Sequence, residues 1–213
     1  MTKIVGLVGF IGSGKGTVAD ILCEKYGYKK MAFADVLKDT TATMFGWPRH
    51  LLEGDTEESR VFRETVDEFW SEKLDKQITP RYVLQKLGTE ASRDVFGNDI
   101  WISSLEKRIR ALPSKSKIAI TDVRFPNELK FVESFDDGIA LRVVRGEEPI
   151  WYQTALKENT EGARGLMKEK HPSIHLSEWA WIGHDFDAII ENNGTLKNLK
   201  TSVKELVDTF DLS

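Results

Sequence analysis

Gly9-Phe10-Ile11-Gly12-Ser13-Gly14-Lys15-Gly16-Thr17 follows directly on the apolar run Ile4-Val5-Gly6-Leu7-Val8. Beyond the loop, Val18, Ile21, Leu22 and Tyr26 recur at the spacing of one helix face. A glycine-rich turn between a buried strand and a helix start can curl until successive N–H groups point into one concavity, which suits an anion. Gly12, Ser13, Gly14, Lys15, Gly16 and Thr17 would line that concavity. Lys15 supplies a mobile point charge for β- and γ-phosphates. The Thr17 hydroxyl can reach a phosphate oxygen or the shell of a magnesium ion. Glycines in such a turn can also serve conformation alone. The complete spacing, in its strand–helix context, favours a nucleoside-triphosphate site.

One detail narrows the field. The position after Lys15 is Gly16 rather than a hydroxyl residue, and the hydroxyl comes at Thr17. Gly-Lys-Gly-Thr resembles the loop of nucleoside monophosphate kinases more than that of GTPases or motor ATPases. A GTPase would also need an Asn-Lys-x-Asp element to read its base, and the sequence has none. Asp94-Val95-Phe96-Gly97 matches a loose DxxG but closes a helical pattern, so it reads as a helix terminus.

A second charged constellation lies further on. Asp122 ends the apolar run Lys117-Ile118-Ala119-Ile120-Thr121-Asp122, where a phosphate-loop fold keeps a carboxylate near magnesium. Arg124 follows two residues later. An isolated Asp-x-Arg reads equally as a strand end with its own salt bridge. Behind a phosphate loop, the pair is a candidate for metal and phosphate contact. Asn127 and Glu128 could cap the helix that Pro126 opens.

The elements that must position these groups alternate along the chain. Strand 3–8, helix 15–26 and a strand near 28–33 come first. A helix-rich insert follows over 35–111, then strand 117–122, a helix from Pro126 to Phe135 and a strand from Ile139 to Val144. A polar segment 146–172 precedes a short helix, strand 186–191 and a last helix. Leu196, Leu199, Val203, Leu206 and Phe210 line up on that last helix, behind Thr195 as a candidate N-cap. Asn192-Asn193-Gly194-Thr195 reads as a plain turn. The alternation predicts an α/β fold of the P-loop NTPase type. Its mainly parallel sheet is flanked by helices and takes ligand at the carboxyl ends of the strands. The expected organisation is one domain: a core of 1–34, 112–145 and 173–213, a helical acceptor-binding insert 35–111, and a lid 146–172.

Composition sets the outer limits. A chain of 213 residues buries about 70% of its unfolded surface, enough for one such domain. The net charge of −4 leaves no footprint for a general nucleic-acid binder. The single cysteine, Cys23, excludes an internal disulfide. No apolar stretch nears the ~20 residues of a membrane span, and the N-terminal run is too short for a signal peptide. The expectation is a cytoplasmic protein with no membrane partner. His171 and His175 with Glu178 lack the spacing of a zinc site, so Ser177-Glu178 reads as a helix entry.

Taken together, several segments resemble the deoxynucleoside monophosphate kinases of large tailed phages. They are Phe10 to Thr17, Ala32-Phe33-Ala34-Asp35-Val36-Leu37-Lys38, Leu84-Gln85-Lys86-Leu87-Gly88-Thr89-Glu90 with Arg93, and Trp101. Thr121 to Glu128, His175-Leu176-Ser177-Glu178 and Asn193-Gly194-Thr195 complete the set. The order is intact from residue 3 to about 205. Val36 stands where the pattern has proline, and the stretch between Arg145 and His175 matches nothing in it.

The resemblance implies transfer of the ATP γ-phosphate to a deoxynucleoside 5′-monophosphate, with magnesium held by Thr17 and Asp122. Homodimers are common in this family, and a phage-encoded member would work in the host cytoplasm. It makes Lys15, Asp122, Arg124 and Arg145 catalytic. It also places Phe33, Asp35, Leu37, Lys38, Trp70, Arg81, Gln85, Arg93 and Arg124 at the acceptor. Without it, Arg81 and Arg93 read as surface ion pairs with Glu90 or Asp94, and Trp70 as core beside Phe62, Val66 and Phe69. On one continuous helix, Gln85 and Arg93 face one direction. Arg142, Arg145, Arg164, Lys168 and Lys170 give the polar segment the charge of a closing lid, which would keep water off ATP. The alternatives are another small-molecule kinase resembling dephospho-coenzyme A kinase, or a nucleotide-sensing module without turnover.

Overall fold

A computed structural model describes residues 2–213. In chain order the elements are β1 (Lys3–Val8), α1 (Lys15–Tyr26), β2 (Lys29–Met31), α2 (Asp35–Phe45), α3 (Glu57–Glu64) and α4 (Glu68–Leu74). There follow α5 (Pro80–Gly88), α6 (Asp94–Phe96), α7 (Ile100–Arg110), β3 (Lys117–Ile120), α8 (Pro126–Glu133) and β4 (Gly138–Val144). The last are α9 (Tyr152–Glu161), α10 (Leu166–Lys170), β5 (Ala188–Glu191) and α11 (Leu196–Thr209). The chain divides into two compact units, one of residues 2–32 and 112–213, the other Phe33–Ala111.

The first unit is built on one five-stranded sheet in the order β2-β3-β1-β4-β5, every pair parallel. Parallel strands carry helices on both faces and therefore read as unbroken apolar runs. β1 obeys this, with Ile4, Val5, Leu7 and Val8 all 0% exposed. Val18, Ala19, Ile21 and Leu22 of α1 and Leu199, Val203, Leu206 and Val207 of α11 bury themselves in the same core as β1 and β4. Thr195 caps α11: its side chain accepts from Asn198 N while Asn198 Oδ1 accepts from Thr195 N at 3.0 Å. Leu196, placed on the apolar face by periodicity, is instead 54% exposed, because it occupies the first turn just outside that core.

The polar segment after β4 is folded. Its few apolar residues hide a helical pattern that the charges obscure in the sequence. Ala155 of α9 and Met167 of α10 are buried at 0% and 1% exposure. Glu158 accepts the N–H of Gly165 at 2.9 Å, which ties the two helices together. Asn159 Nδ2 donates to the carbonyls of Trp179 and Ile182 at 2.9 and 2.8 Å.

The second unit is helical, with a small core of Trp47, Leu52, Ile78, Val83 and Leu84. The stretch around Trp70 forms two helices, α3 and α4, and Val66 and Phe69, expected beside Trp70 in the core, are 37% and 60% exposed. Asp67 causes the break by capping α4, accepting Trp70 N at 2.9 Å. A single π-helical turn, Thr89–Arg93, follows α5. Such a turn interrupts the α-helical periodicity between Gln85 and Arg93.

Gly138 opens β4 where a Cβ would lie 1.9 Å from the Val132 carbonyl and 3.0 Å from that of Phe135. Both obstacles are backbone and cannot rotate aside. Gly138→Ala is therefore expected to cost about 2 kcal/mol, roughly 4–8 °C in Tm for a chain of this size. Urea unfolding and calorimetry would measure it, and an unchanged midpoint would show that the α8–β4 turn yields freely.

Candidate active site

Between the end of β1 and the start of α1 the backbone turns through three left-handed glycines, Gly9, Gly12 and Gly14, with φ of 143°, 81° and 102°. Close approach forbids side chains at two of them. A Cβ at Gly9 would sit 2.3 Å from the Val143 carbonyl oxygen, and one at Gly14 would sit 2.2 Å from Asn192 Nδ2. A Cβ at Gly12 would meet nothing within 4 Å, so the loop opens onto free space there. An open cradle of backbone at the first turn of a twelve-residue helix fits a phosphate chain. Ser13 forms the buried floor, 3% exposed, its hydroxyl without a hydrogen-bond partner among the described residues.

Lys15 lies across this loop. Its Nζ donates to the carbonyls of Gly9 at 2.7 Å and Phe10 at 2.8 Å, which leaves the third ammonium donor over. Its pKa is pushed down to about 8, first by burial and then by the positive charge of Arg124, while Glu178 and Asp122 pull the other way. These four groups share one electrostatic field. Thr17 is exposed in the first turn of α1.

Asp122 lies two residues past the end of β3, partly buried. The strand stops at Ile120, although Thr121 N still donates to the Met31 carbonyl at 3.2 Å. Arg124 is paired with Glu178. Its Nη1 donates to Glu178 Oε1 at 2.9 Å and to Ser177 Oγ at 3.4 Å, while its side chain stays 40% exposed. Glu178 ends a short 3-10 helix, Leu176–Glu178, in keeping with the helix entry read from the sequence, and is also the partner that orients this arginine. Glu128 is 4% exposed and caps α8 by accepting the N–H groups of Arg124 at 2.7 Å and Phe125 at 3.1 Å.

Arg142 and Arg145 part company. The Arg142 side chain is 12% exposed and paired with Glu148. Its guanidinium lies 5.1 and 5.2 Å from the ring centres of Tyr152 and Trp181. The same aromatic group holds Phe10 of the loop, with Trp181 at 5.0 Å, Trp151 at 5.4 Å and Tyr152 at 6.3 Å. Arg145 and Arg164 are exposed. Nothing in the loop motif marks Phe10 as an anchor; only the unusual density of tryptophan near 151–181 hinted at it.

The remaining candidates lie in the second unit. Asp35 pairs with Arg49 at 3.4 Å and Arg108 at 3.8 Å, and Lys38 with Glu53 at 2.6 Å. Arg81 pairs with Glu64 at the surface, not with Glu90 or Asp94. The Trp70 indole donates to the Phe45 carbonyl at 2.9 Å, edge-on to the Phe45 ring. Phe33 is buried, Leu37 packs against the small core, Gln85 is exposed and Arg93 partly buried. Among the described residues no three His, Cys, Asp or Glu side chains gather as a metal cage, and no helix is long and apolar enough to cross a membrane.

No family model matches the chain. A protein of Acanthamoeba polyphaga mimivirus named as a deoxynucleotide monophosphate kinase is 32% identical over 140 residues, spanning 61% of this chain and 68% of that protein. The chain belongs to the deoxynucleoside monophosphate kinase family. The deoxynucleoside-5′-monophosphate kinase of Escherichia phage T5 is 26% identical over 261 aligned positions, 98% of this chain and 97% of that one. Among solved structures, TT1252 from Thermus thermophilus aligns over 98% of this chain and 97% of its own at a TM-score of 0.48, with 17% identity. The parallel sheet, its strand order and the glycine loop make this a P-loop kinase fold.

Lys15 should dominate nucleotide chemistry and its pH dependence. Lys15→Ala is expected to lower acceptor-dependent ADP formation far more than tenfold, a barrier rise above ~1.4 kcal/mol. Because burial holds the free lysine near pKa 8, it loses its charge as pH rises through that value, and a bound phosphate chain restores it. Binding of ADP should then take up close to one proton at pH 9 and none by Lys15 near pH 6.5, read by calorimetry in buffers of different ionisation enthalpy. Proton uptake near zero at both pH values would show Lys15 charged throughout.

Proposed function

We propose that this chain transfers the γ-phosphate of ATP to a deoxynucleoside 5′-monophosphate, giving ADP and the deoxynucleoside diphosphate. The observation that carries the reading is the open glycine cradle with Lys15 across it, in a chain whose relatives are named for this activity. Phosphoryl transfer runs through a loose, strongly anionic transition state, so positioning and charge neutralisation do most of the catalysis. Lys15 and the loop amides hold the donor phosphates. Arg124, oriented by Glu178 and still partly exposed, offers the remaining donors of its fork to a phosphate dianion.

Thr17 and Asp122 supply hard oxygen donors. Magnesium usually keeps several waters and binds through one or two such groups plus substrate phosphates, so this pair suits it. Magnesium, when bound, neutralises charge on the β- and γ-phosphate oxygens. In the second unit, Phe33, Asp35, Leu37, Lys38, Trp70, Arg81, Gln85 and Arg93 form the proposed acceptor-binding set. Arg81 and Glu64 are both largely exposed, and such a pair contributes only ~0–1 kcal/mol. A phosphate dianion can therefore replace Glu64 at little cost.

Keeping water off the γ-phosphate falls to 146–172, with Arg145 or Arg164 brought to the phosphates while Trp151 and Tyr152 keep their hold on Phe10. With ATP as donor the reaction belongs in the cytoplasm, that of the host where the chain is phage-encoded.

A coupled ADP assay across the deoxynucleoside and ribonucleoside monophosphates, coenzyme A precursors and sugar acids tests the reading. Turnover with at least one deoxynucleoside monophosphate is expected, and ADP release that ignores every monophosphate would overturn it. In the same assay Arg124→Lys should fall about tenfold or more, because a point charge does not reproduce the fork. A change confined to acceptor KM assigns Arg124 to ground-state binding, and a fall in kcat to the transition state.

A further inference from the structure

Asn192 stands immediately beyond β5 in the stretch that the sequence reads as a plain turn. Its side chain reaches back across the molecule to the phosphate loop, where Nδ2 donates to the Ser13 carbonyl at 2.9 Å in a partly buried contact. Its own N–H donates to the Val144 carbonyl at 2.8 Å, one further rung beyond the β4–β5 ladder. That rung fixes where the side chain starts. Asn193 ties down the same edge, its Oδ1 accepting the N–H of Gly146 at 2.7 Å. Gly14 completes the arrangement, since a Cβ there would lie 2.2 Å from Asn192 Nδ2. Only glycine at 14 lets this amide approach the loop.

We propose that Asn192 is a positioning residue for the donor phosphates, acting through the Ser13–Gly14 peptide. A trans peptide is planar, with its carbonyl and N–H pointing in opposite directions. Fixing the Ser13 carbonyl on Asn192 therefore fixes the Gly14 N–H on the opposite side. Gly14 sits at φ 102° with no side chain to restrict rotation. Such a peptide needs an outside hold, and Asn192 provides it. An unheld glycine peptide flips easily, and each flip turns a carbonyl dipole toward the phosphates instead of an N–H. The cost of losing Asn192 thus falls on the nucleotide and not on the acceptor. This inference rests on the loop binding the donor, and not on which acceptor is used.

The test is magnesium-ADP affinity by calorimetry for the wild type, Asn192→Ala and the isosteric Asn192→Asp, with acceptor KM measured alongside. Asn192→Ala is expected to raise the ADP Kd about tenfold, near the upper range for one lost hydrogen bond. Asn192→Asp should raise it further, because a carboxylate cannot donate to the Ser13 carbonyl and adds negative charge beside the phosphates. Acceptor KM should stay within about twofold in both. ADP affinity within twofold of wild type in both variants, or equal losses for ADP and acceptor, would overturn the proposal. If the alanine variant does not fold, the aspartate variant decides alone, since it keeps the shape. A wild type that binds no ADP would sink the donor reading itself, a result distinct from two variants that bind as well as the wild type.

Discussion

An anion nest is a stretch of backbone with few hydrogen bonds of its own (here Ser13 N to the Phe10 carbonyl at 3.2 Å), and it persists only if something outside it helps set its shape. Here the loop of residues 9–14 has three left-handed glycines and no regular structure. Its form comes from contacts at three places: Gly9 pressed against the Val143 carbonyl, Phe10 set among Trp151, Tyr152 and Trp181, and Ser13 held by Asn192. Val143 belongs to β4 and Asn192 extends β5, so the sheet order β1-β4-β5 brings their ends beside the loop. Glycine adopts positive φ without steric strain, so what the surrounding packing must offset is the entropy of fixing such free residues in one conformation. The parallel sheet and its buried strands do so.

The same packing sets the electrostatics. Burial lowers the Lys15 pKa before any ligand arrives, and Arg124 lowers it further. Taken alone, that makes the free site unfavourable for two cations. Asp122 and Glu178 offset part of the cost, and the loop carbonyls take two of the lysine donors. A phosphate chain would take over these roles, offering the lysine and the arginine oxygens of higher charge. In a site stripped of water such interactions are much stronger than at the surface, which is why the cations are kept partly buried and only provisionally paired.

What the sequence reveals depends on whether a signal is local. β1 and α1 end where their apolar patterns end, and Gly14 and Gly27 mark the helix with left-handed caps on either side. The buried strands, the cap at Thr195 and the loop itself are local in this sense. What the pattern misses falls in two groups, partners far apart in the chain and local interruptions of a helix. Glu178 does close a short 3-10 helix, Leu176–Glu178, as the helix-entry reading expects, but its partner Arg124 is 54 residues away, and Ser13, the partner of Asn192, is 179 residues away. The π turn after α5 carries no composition signal and interrupts a helix that the pattern would continue. Asp67 broke a pattern that Val66 and Phe69 seemed to continue, since a capping side chain outweighs two exposed apolar residues.

The cations of the chain then sort by what it would cost to release them. Arg142 has its guanidinium between two rings, a carboxylate beside it and almost no solvent, so freeing it would strand buried charge. It is part of the scaffold that holds Phe10. Arg81 is paired with Glu64 at an exposed surface where water competes throughout, so exchanging that carboxylate for a phosphate is nearly neutral before the phosphate's extra charge is counted. Lys38 lies between these extremes, its side chain 16% exposed and its pairing with Glu53 strong enough to help hold that carboxyl below its usual range. Glu53 also accepts from Arg49, so it would keep one cation if Lys38 turned to a substrate. The shared carboxylate lowers the cost of recruiting Lys38 to an anion. By the same reasoning, a solitary buried lysine–glutamate pair would have been a poor choice for substrate binding.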